Sequence, residues 1–410
     1  MGDIFVMEKN NDIVILRDLT SKYMEISKQD IQEERRRLWR DHNSLIKTRP
    51  LVLVGFPPNE IPECQPKCED PFYRQYEQQF LNRLYQHKIG DDNIMEPWLT
   101  IRASFSHGGW GTGARWIRPN VAGGAARFDH PIKTLEDISK LVKPKHLINE
   151  EETKKRLDRT REAIGDIIEI DVDRGSAYRV WSADISTDLM YLRGMEQMML
   201  DMTDNPEWLH GMVRFMMEGV LSAHGEAEKA GDWSLTSQEN QALTYAHELP
   251  DPKPNSGSMK RNDLWVFFAA QEFAQVGPER HNEFLFQYQF PILEHFGLTA
   301  YGCCEDLTYK IKYLKNLPNL RRIGVTPWAD IRKCAEQIGD KYVISWRPNP
   351  SDMICCGFDP DHIRKTVTEA MEICKGLHVD ITLKDTQTYE NDPTRGIRWH
   401  QIVREIIEKY

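Results

Sequence analysis

Two adjacent cysteines followed by two acids are the run of this chain best suited to chemistry. Cys303 and Cys304 end an apolar run that begins at Leu298, and Glu305 and Asp306 follow them directly. Thiolates and carboxylates at a strand end can hold Zn²⁺ in a tetrahedral site with one open position. Because side chains alternate across a strand, we predict that the two thiols point to opposite sides and that Cys304 faces the site. The alternative is a buried structural cysteine, since free cysteine is among the most buried residue types.

Glu239 and His107 are the next candidates. Glu239 ends the apolar-polar run 233–239, where its carboxylate could ligate zinc or act as a general base. A solvated loop acid is the alternative for Glu239. His107 lies in a glycine-rich run that is typical of a pocket wall, where the histidine could bind metal or assist a proton transfer. The alternative for His107 is a loop histidine without a catalytic role.

Polar groups also follow the last two predicted strands. Arg347 and Asn349 come after one strand, and Lys384 and Asp385 come after the next. Arg347 or Lys384 could bind a substrate carboxylate or phenolate, and Asp385 could assist protonation. Structural ion pairs are the alternative interpretation of these charges.

Three tryptophans, Trp110, Trp328 and Trp346, are close to the same predicted strand ends. Each could stack on an aromatic or other planar substrate. Packing in the core explains each of them almost as well.

The elements that must position these residues are alternating strands and helices. This alternation over about 310 residues favours an α/β fold, a (β/α)8 TIM barrel spanning residues 91–410 with long insertions at its rim. Residues 1–90 are predicted to form an N-terminal helical cap that contains a short strand at 51–54. The predicted barrel strands lie near residues 97–103, 166–172, 233–239, 264–269, 298–304, 321–325, 342–346 and 378–384.

Composition narrows the class of protein. The 410 residues are 40% hydrophobic and 28% charged, as in a globular protein with a large core. A net charge of -10 disfavours nucleic acid and anionic membranes as partners. The chain shows no signal peptide and no long apolar run, so we expect a cytoplasmic protein whose eight cysteines are thiols or ligands. We expect Cys64 and Cys68 to be surface thiols in a proline-rich loop.

Two segments resemble the uroporphyrinogen decarboxylase superfamily, which includes corrinoid-dependent methyltransferases. Arg193-Gly-Met-Glu196 and Asp204-Asn-Pro-Glu207 are similar to a stretch that follows the second strand of that superfamily. The strand leading to Cys304 is similar to the strand that carries a His-x-Cys-Gly zinc motif in its methylcobamide methyltransferases. The resemblance covers residues 90 to 410, and it implies the barrel, zinc and a homodimer.

Departures from the family pattern favour the methyltransferase branch and alter its zinc site. The region 51–58 lacks the arginines with which true uroporphyrinogen decarboxylases bind substrate carboxylates. Gly302 stands in place of the motif histidine, Glu305 replaces its glycine, and no cysteine follows the last strand. Zinc would therefore need Cys304 together with Glu239, Glu305, Cys303 or His107. No corrinoid-binding D-x-H-x-x-G motif is present, so the corrinoid must be supplied by a partner protein.

The sequence thus predicts a zinc-dependent methyltransferase that moves a methyl group from an O-methyl substrate, such as an aromatic methyl ether, to a separate corrinoid protein. The cap and the rim insertions would act as a lid that opens for this partner. One alternative is a metal-independent decarboxylase of a small carboxylated substrate on the same barrel. Another is a barrel that binds a small molecule without turnover.

Overall fold

The structure is a computed structural model that describes residues 2–106, 109–121 and 124–410. It is an α/β fold around a central parallel sheet. The strands are β1 (Leu51–Val54), β2 (Trp98–Arg102), β3 (Arg115–Ile117), β4 (Arg127–Asp129), β5 (Glu169–Asp173), β6 (Trp265–Phe268), β7 (Leu298–Tyr301), β8 (Leu320–Val325), β9 (Val343–Trp346) and β10 (Val379–Leu383). Six strands form the central sheet in the order β1-β10-β9-β8-β7-β6, and every neighbouring pair is parallel. Strands β2 and β5 form a separate parallel pair, and β3 and β4 form an antiparallel hairpin.

Helices follow most of the strands. They are α1 (Gly2–Ser27), α2 (Asp30–Asn43), α3 (Pro71–Ile89), α4 (Glu150–Ile164), α5 (Ser186–Arg193), α6 (Met195–Asp204), α7 (Pro206–Ala230), α8 (Pro278–His281), α9 (Gln287–Leu293), α10 (Ile311–Leu314), α11 (Ile331–Ile338), α12 (Pro360–Ile373) and α13 (Arg395–Ile407). Short π-helical turns at 282–286 and 351–355 extend α8 into α9 and precede α12. Within the described residues, no helix combines the length and the apolar character needed to cross a membrane.

Helix α7 illustrates how local sequence determines an element. Pro206 occupies its first turn, where the missing amide hydrogen costs nothing, and Gly231 ends it in the left-handed conformation at φ 75°. The apolar face predicted from its periodicity is confirmed, because its members are buried in the main hydrophobic core: Leu209, Met212, Val213, Met216 and Val220.

The predicted strand at 233–239 is wrong, whereas the other seven predicted strands are present. Residues 233–239 form turns because their hydroxyl groups bond one another and nearby acids. Thr236 Oγ1 donates to Asp171 at 2.7 Å, and Ser237 Oγ donates to Asp173 at 2.6 Å. Such side-chain bonds compete with the ladder of a sheet. The segment 51–54, which the sequence placed within the cap, is β1 and pairs with β10.

A buried charge cluster closes the amino end of the central sheet. Arg322 of β8 pairs with Asp380 of β10 at 2.9 Å, and both side chains are almost completely inaccessible. Burial alone would raise the pKa of Asp380, but the charge of Arg322 holds this pKa below its usual value. Ser345 donates to Asp380, and α2 contributes His42 at 3.3 Å from Asp380 and Asn43 at 2.8 Å from Arg322. Helix α2, which belongs to the predicted cap, therefore lies at the amino end of the central sheet.

We expect Asp380→Ala to lower the free energy of unfolding by about 3–5 kcal/mol, because it leaves the Arg322 charge buried without its partner. Urea unfolding followed by circular dichroism measures the change. Asp204→Ala, which removes an exposed acid at the end of α6, is the control and should change stability by less than about 0.5 kcal/mol. A similar small loss for both variants would contradict the structural role of the charge pair.

Candidate functional site

Cys303, Cys304 and Lys384 meet at the carboxyl end of the central sheet. The two sulfurs are 3.6 Å apart, and Lys384 Nζ lies 2.9 Å from Cys303 Sγ and 3.4 Å from Cys304 Sγ. Cys303 is buried and Cys304 is exposed. We call these three residues the thiol cluster. The carboxyl ends of parallel strands are where barrel and open α/β enzymes carry their chemistry.

The prediction that the two thiols point to opposite sides is wrong, because β7 ends at Tyr301 and the chain then turns. Gly302 has φ 101°, a conformation that residues with a side chain rarely adopt. A Cβ at Gly302 would lie 2.5 Å from Leu307, and a Cβ at Gly324 of β8 would lie 2.6 Å from the Gly302 carbonyl oxygen. The turn therefore requires glycine at position 302.

Glu305 holds this turn in place. Its carboxylate is fully buried and accepts hydrogen bonds from the backbone amides of Ala270, Cys303 and Cys304 at 2.8, 2.9 and 3.0 Å. These three bonds use both carboxylate oxygens. Glu305 thus positions the thiol cluster through these backbone amides.

The thiol cluster separates charge between its members. The hydrogen bond from the Cys304 thiol and, to a smaller extent, the contact with Lys384 together lower the pKa of Cys303 to about 6, against the opposing effect of burial. The same hydrogen bond and burial raise the pKa of Cys304 well above its usual range. Burial opposes the charge of Lys384, but its contact with Cys303 raises the pKa of the lysine. At neutral pH the cluster therefore contains one thiolate, one thiol and one ammonium.

Arg347 is hydrogen-bonded to the backbone of the same turn. Its Nη1 donates to the carbonyl oxygens of Gly302 and Cys303 at 2.9 and 2.5 Å, and its side chain is buried. Asn349 accepts from the Ser351 amide and donates to Asp352 in the turn after β9. Arg347 therefore supports the carboxyl end of the sheet from the interior, whereas Asn349 is half-buried and bonds only its own turn.

Asp385 and Glu239 flank the thiol cluster. Asp385 is exposed, adopts φ 58° and lies 3.4 Å from Lys384 Nζ. Glu239 Oε1 accepts from the amide of Gln241, whose side chain in turn approaches Cys303 Sγ at 3.7 Å. Burial raises the pKa of Glu239. Gln241 therefore contacts both Glu239 and the thiol cluster. His107 lies outside the described residues.

The three tryptophans have different surroundings. Trp346 is buried in the main hydrophobic core, whereas Trp328 is 72% exposed beyond the end of β8. Trp110 lines a cavity, described below.

The two cysteines predicted at the surface, Cys64 and Cys68, are buried beside α3, and burial raises the pKa of Cys64 to about 11. Their prediction as surface thiols is wrong, because the proline-rich loop is folded against the helix.

A cavity of about 360 Å³ lies between the segments that follow β2 and β5. Trp110, Trp116, Tyr178 and Tyr191 line it together with the carboxylate of Asp188. Trp110 Nε1 donates to Asp188 Oδ2 at 2.7 Å. Burial raises the pKa of Asp188 to about 6. We call this space the aromatic cavity.

Backbone strain accompanies the aromatic cavity. Val180 and Ile185 have φ values of 51° and 68°, which are true outliers for β-branched residues. Both lie in the segment between Tyr178 and Asp188. Strained backbone is concentrated at functional sites, where the surrounding structure maintains it.

The sequence analysis missed Asp188, Tyr191 and Tyr178. Asp188 and Tyr191 are three residues apart on α5, so helical spacing places them on one face. The sequence therefore allows this helical face to be predicted. It does not indicate that the segment containing Trp110 and Trp116 lies across the cavity from that face.

No protein-family model matches the chain, and no curated protein matches its sequence. The fold and the site define its class as an α/β protein with reactive thiols at the carboxyl end of a parallel sheet.

We expect the Cys303 thiolate to form as the pH rises through about 6. Its ultraviolet absorbance, taken as the difference between the wild type and Cys303→Ser, measures this titration. Lys384→Met removes a positive charge next to the sulfur, so the midpoint should move to higher pH. Cys356→Ser, which alters an exposed thiol elsewhere, is the control and should leave the midpoint unchanged. An unshifted midpoint in Lys384→Met would contradict this account of the thiolate.

Proposed function

We propose that this chain is a (β/α)8 barrel enzyme that transfers a methyl group from an O-methyl substrate to a separate corrinoid protein with the help of zinc. The observation that carries the proposal is the pair of cysteine sulfurs 3.6 Å apart at the carboxyl end of the sheet. The resemblance of residues 90–410 to the uroporphyrinogen decarboxylase superfamily supports the same reaction.

Contacts across the two gaps between the sheets support a closed barrel. Between β1 and the approach to β2, the amide of Asp92 donates to Val52, and the Asp92 carboxylate accepts from the Val52 amide. On the other side, the turn at 233–239 joins β5 to β6, since Thr236 bonds Asp171 and the Trp265 amide donates to Gln238. The six strands of the central sheet and the parallel pair β2 and β5 would then make up the eight strands of the proposed barrel.

The thiol cluster fits part of a zinc site. Two sulfurs on one tetrahedral zinc, each about 2.3 Å from the metal, lie about 3.8 Å apart. The 3.6 Å separation of Cys303 and Cys304 matches this spacing. Within the described residues, no group of three or more His, Cys, Asp or Glu side chains is arranged to hold a metal. Zinc would therefore be held by Cys303 and Cys304, with the substrate and a residue such as Glu239 or His107 completing the shell.

Zinc bound there would supply Lewis acidity at the ether oxygen of the methyl donor. In the proposed transfer, the C–O bond would break with its electron pair remaining on oxygen, and the two electrons of the new bond to the methyl carbon would come from cobalt(I) of the partner. A proton must then reach the oxygen. Lys384, which a metal would displace from the sulfurs, and Asp385 beside it are the donors within reach, and His107 is a further candidate.

Substrate contacts would come from the same rim. Trp328 offers an exposed ring beyond β8 for a planar donor, and Lys384 offers a positive charge for a phenolate product. Arg347, through its bonds to the turn, would fix the two sulfurs rather than touch the donor.

We expect anaerobically purified protein to contain about one zinc per chain, and Cys303→Ala and Cys304→Ala each to lose most of it. Elemental analysis measures the content, with Cys356→Ala as the matched control. A wild-type protein that stays metal-free after incubation with zinc would rule out the proposed mechanism.

A direct assay then tests the reaction itself. We expect methylation of an added cobalt(I) corrinoid protein by an aromatic methyl ether in the wild type, with the rate reduced at least about 100-fold in Cys304→Ala. Absorbance of the corrinoid follows the transfer. An unchanged rate in Cys304→Ala would contradict a role for the thiol cluster.

A metal-independent decarboxylase is the second candidate function. The ammonium of Lys384 favours it, because a positive charge at the rim could bind a small carboxylate. Release of carbon dioxide without any corrinoid, retained in Cys304→Ala, would establish this alternative.

A further inference from the structure

The aromatic cavity has the chemistry of a cation site. Four aromatic side chains line it, and none of the described residues in its lining is basic. The basic side chain of Arg118 lies near these rings, with its guanidinium carbon 5.8 Å from the centroid of the outer ring, Trp116. The rings also form a continuous wall, since Trp116 packs against Phe128 at 4.4 Å and Phe128 against Tyr191 at 4.9 Å between centroids. The faces of tryptophan and tyrosine rings carry negative potential that attracts a cation.

Two acids at and near this wall add negative charge. Asp188 lies at the cavity, and the nearby carboxylate of Glu272 adds to the rise in its pKa, although burial is the larger cause. Glu272 is held by the hydroxyl groups of Ser186 and Thr187. Among the described residues, no lysine, arginine or histidine forms an ion pair with Asp188 or Glu272. An anionic ligand would meet uncompensated charge here.

Asp188 is positioned to meet a ligand. One of its carboxylate oxygens accepts from the Trp110 indole, which orients the group. With a pKa of about 6, the carboxyl group is ionised at neutral pH. The cavity thus combines ring faces and an oriented carboxylate, the two elements that recognise an ammonium group.

We propose that the aromatic cavity binds a small organic cation with the chemistry of a quaternary or methylated ammonium. The four rings enclose its alkyl groups, and Asp188 balances its charge. This inference does not depend on methyl transfer or on zinc, because binding is measured without turnover.

Isothermal titration calorimetry with choline and its uncharged carbon analogue 3,3-dimethylbutan-1-ol tests the proposal on the wild-type chain. The two probes have the same shape and differ in charge. We expect choline to bind at least about tenfold more tightly than the alcohol. Equal affinities, or no detectable binding of either probe, would overturn the proposal.

Two variants locate the site. Asp188→Asn keeps an acceptor for Trp110 and removes the charge, and it should weaken choline binding about tenfold while leaving the alcohol unaffected. Trp116→Leu, at the exposed edge of the cavity, should weaken it about fivefold. The controls are Asp204→Asn and Tyr309→Leu, which change an exposed acid and an exposed aromatic ring away from the cavity. Choline binding that is insensitive to Asp188→Asn and Trp116→Leu would place the cation elsewhere and reject the assignment.

Discussion

The buried pair of Arg322 and Asp380 constrains much of this structure. An ion pair in an apolar interior is tolerated only when nearly all its hydrogen-bonding capacity is satisfied. Ser345, His42 and Asn43 provide those bonds, and two of them belong to α2. The requirement therefore fixes α2 against the amino ends of β8 and β10. The amino end of the sheet is thus covered by α2, and the thiol cluster lies at the opposite, carboxyl end.

Those reactive groups occur in two contrasting electrostatic environments. Around Cys303, a neighbouring thiol and the Lys384 ammonium stabilise negative charge on sulfur. Around Asp188, the acids have no basic partner among the described residues, and desolvation is opposed only by the Trp110 indole. The first environment suits a bound metal or an anionic leaving group. The second suits a positively charged ligand, so the two regions would select different chemical species.

The sequence was sufficient where a single physical effect dominates. Runs of apolar residues predicted seven strands, because parallel strands are buried on both faces. It failed at 233–239, where hydroxyl side chains bond Asp171 and Asp173 and the chain cannot join a ladder. The sequence also failed to predict the side chain direction of Cys303, because β7 ends at Tyr301 and the alternation of a strand does not continue to residues 303 and 304. The positive φ of Gly302 brings both sulfurs to one side. The aromatic cavity was beyond reach for another reason: its walls come from segments about 70 residues apart in the chain.

The close approach of Gly324 to Gly302 has an effect beyond local packing. Residue 324 carries no reactive atom and touches neither sulfur, yet the space above it is filled by the carbonyl that precedes Cys303. Arg347 grips that same carbonyl. A single added methyl group at position 324 would therefore displace the turn, the Arg347 guanidinium that is hydrogen-bonded to it, and the adjacent Cys303 thiolate. The position of the Cys303 sulfur thus depends on the absence of a side chain at residue 324 of the neighbouring strand. We expect natural variation at position 324 to be as restricted as at the cysteines themselves.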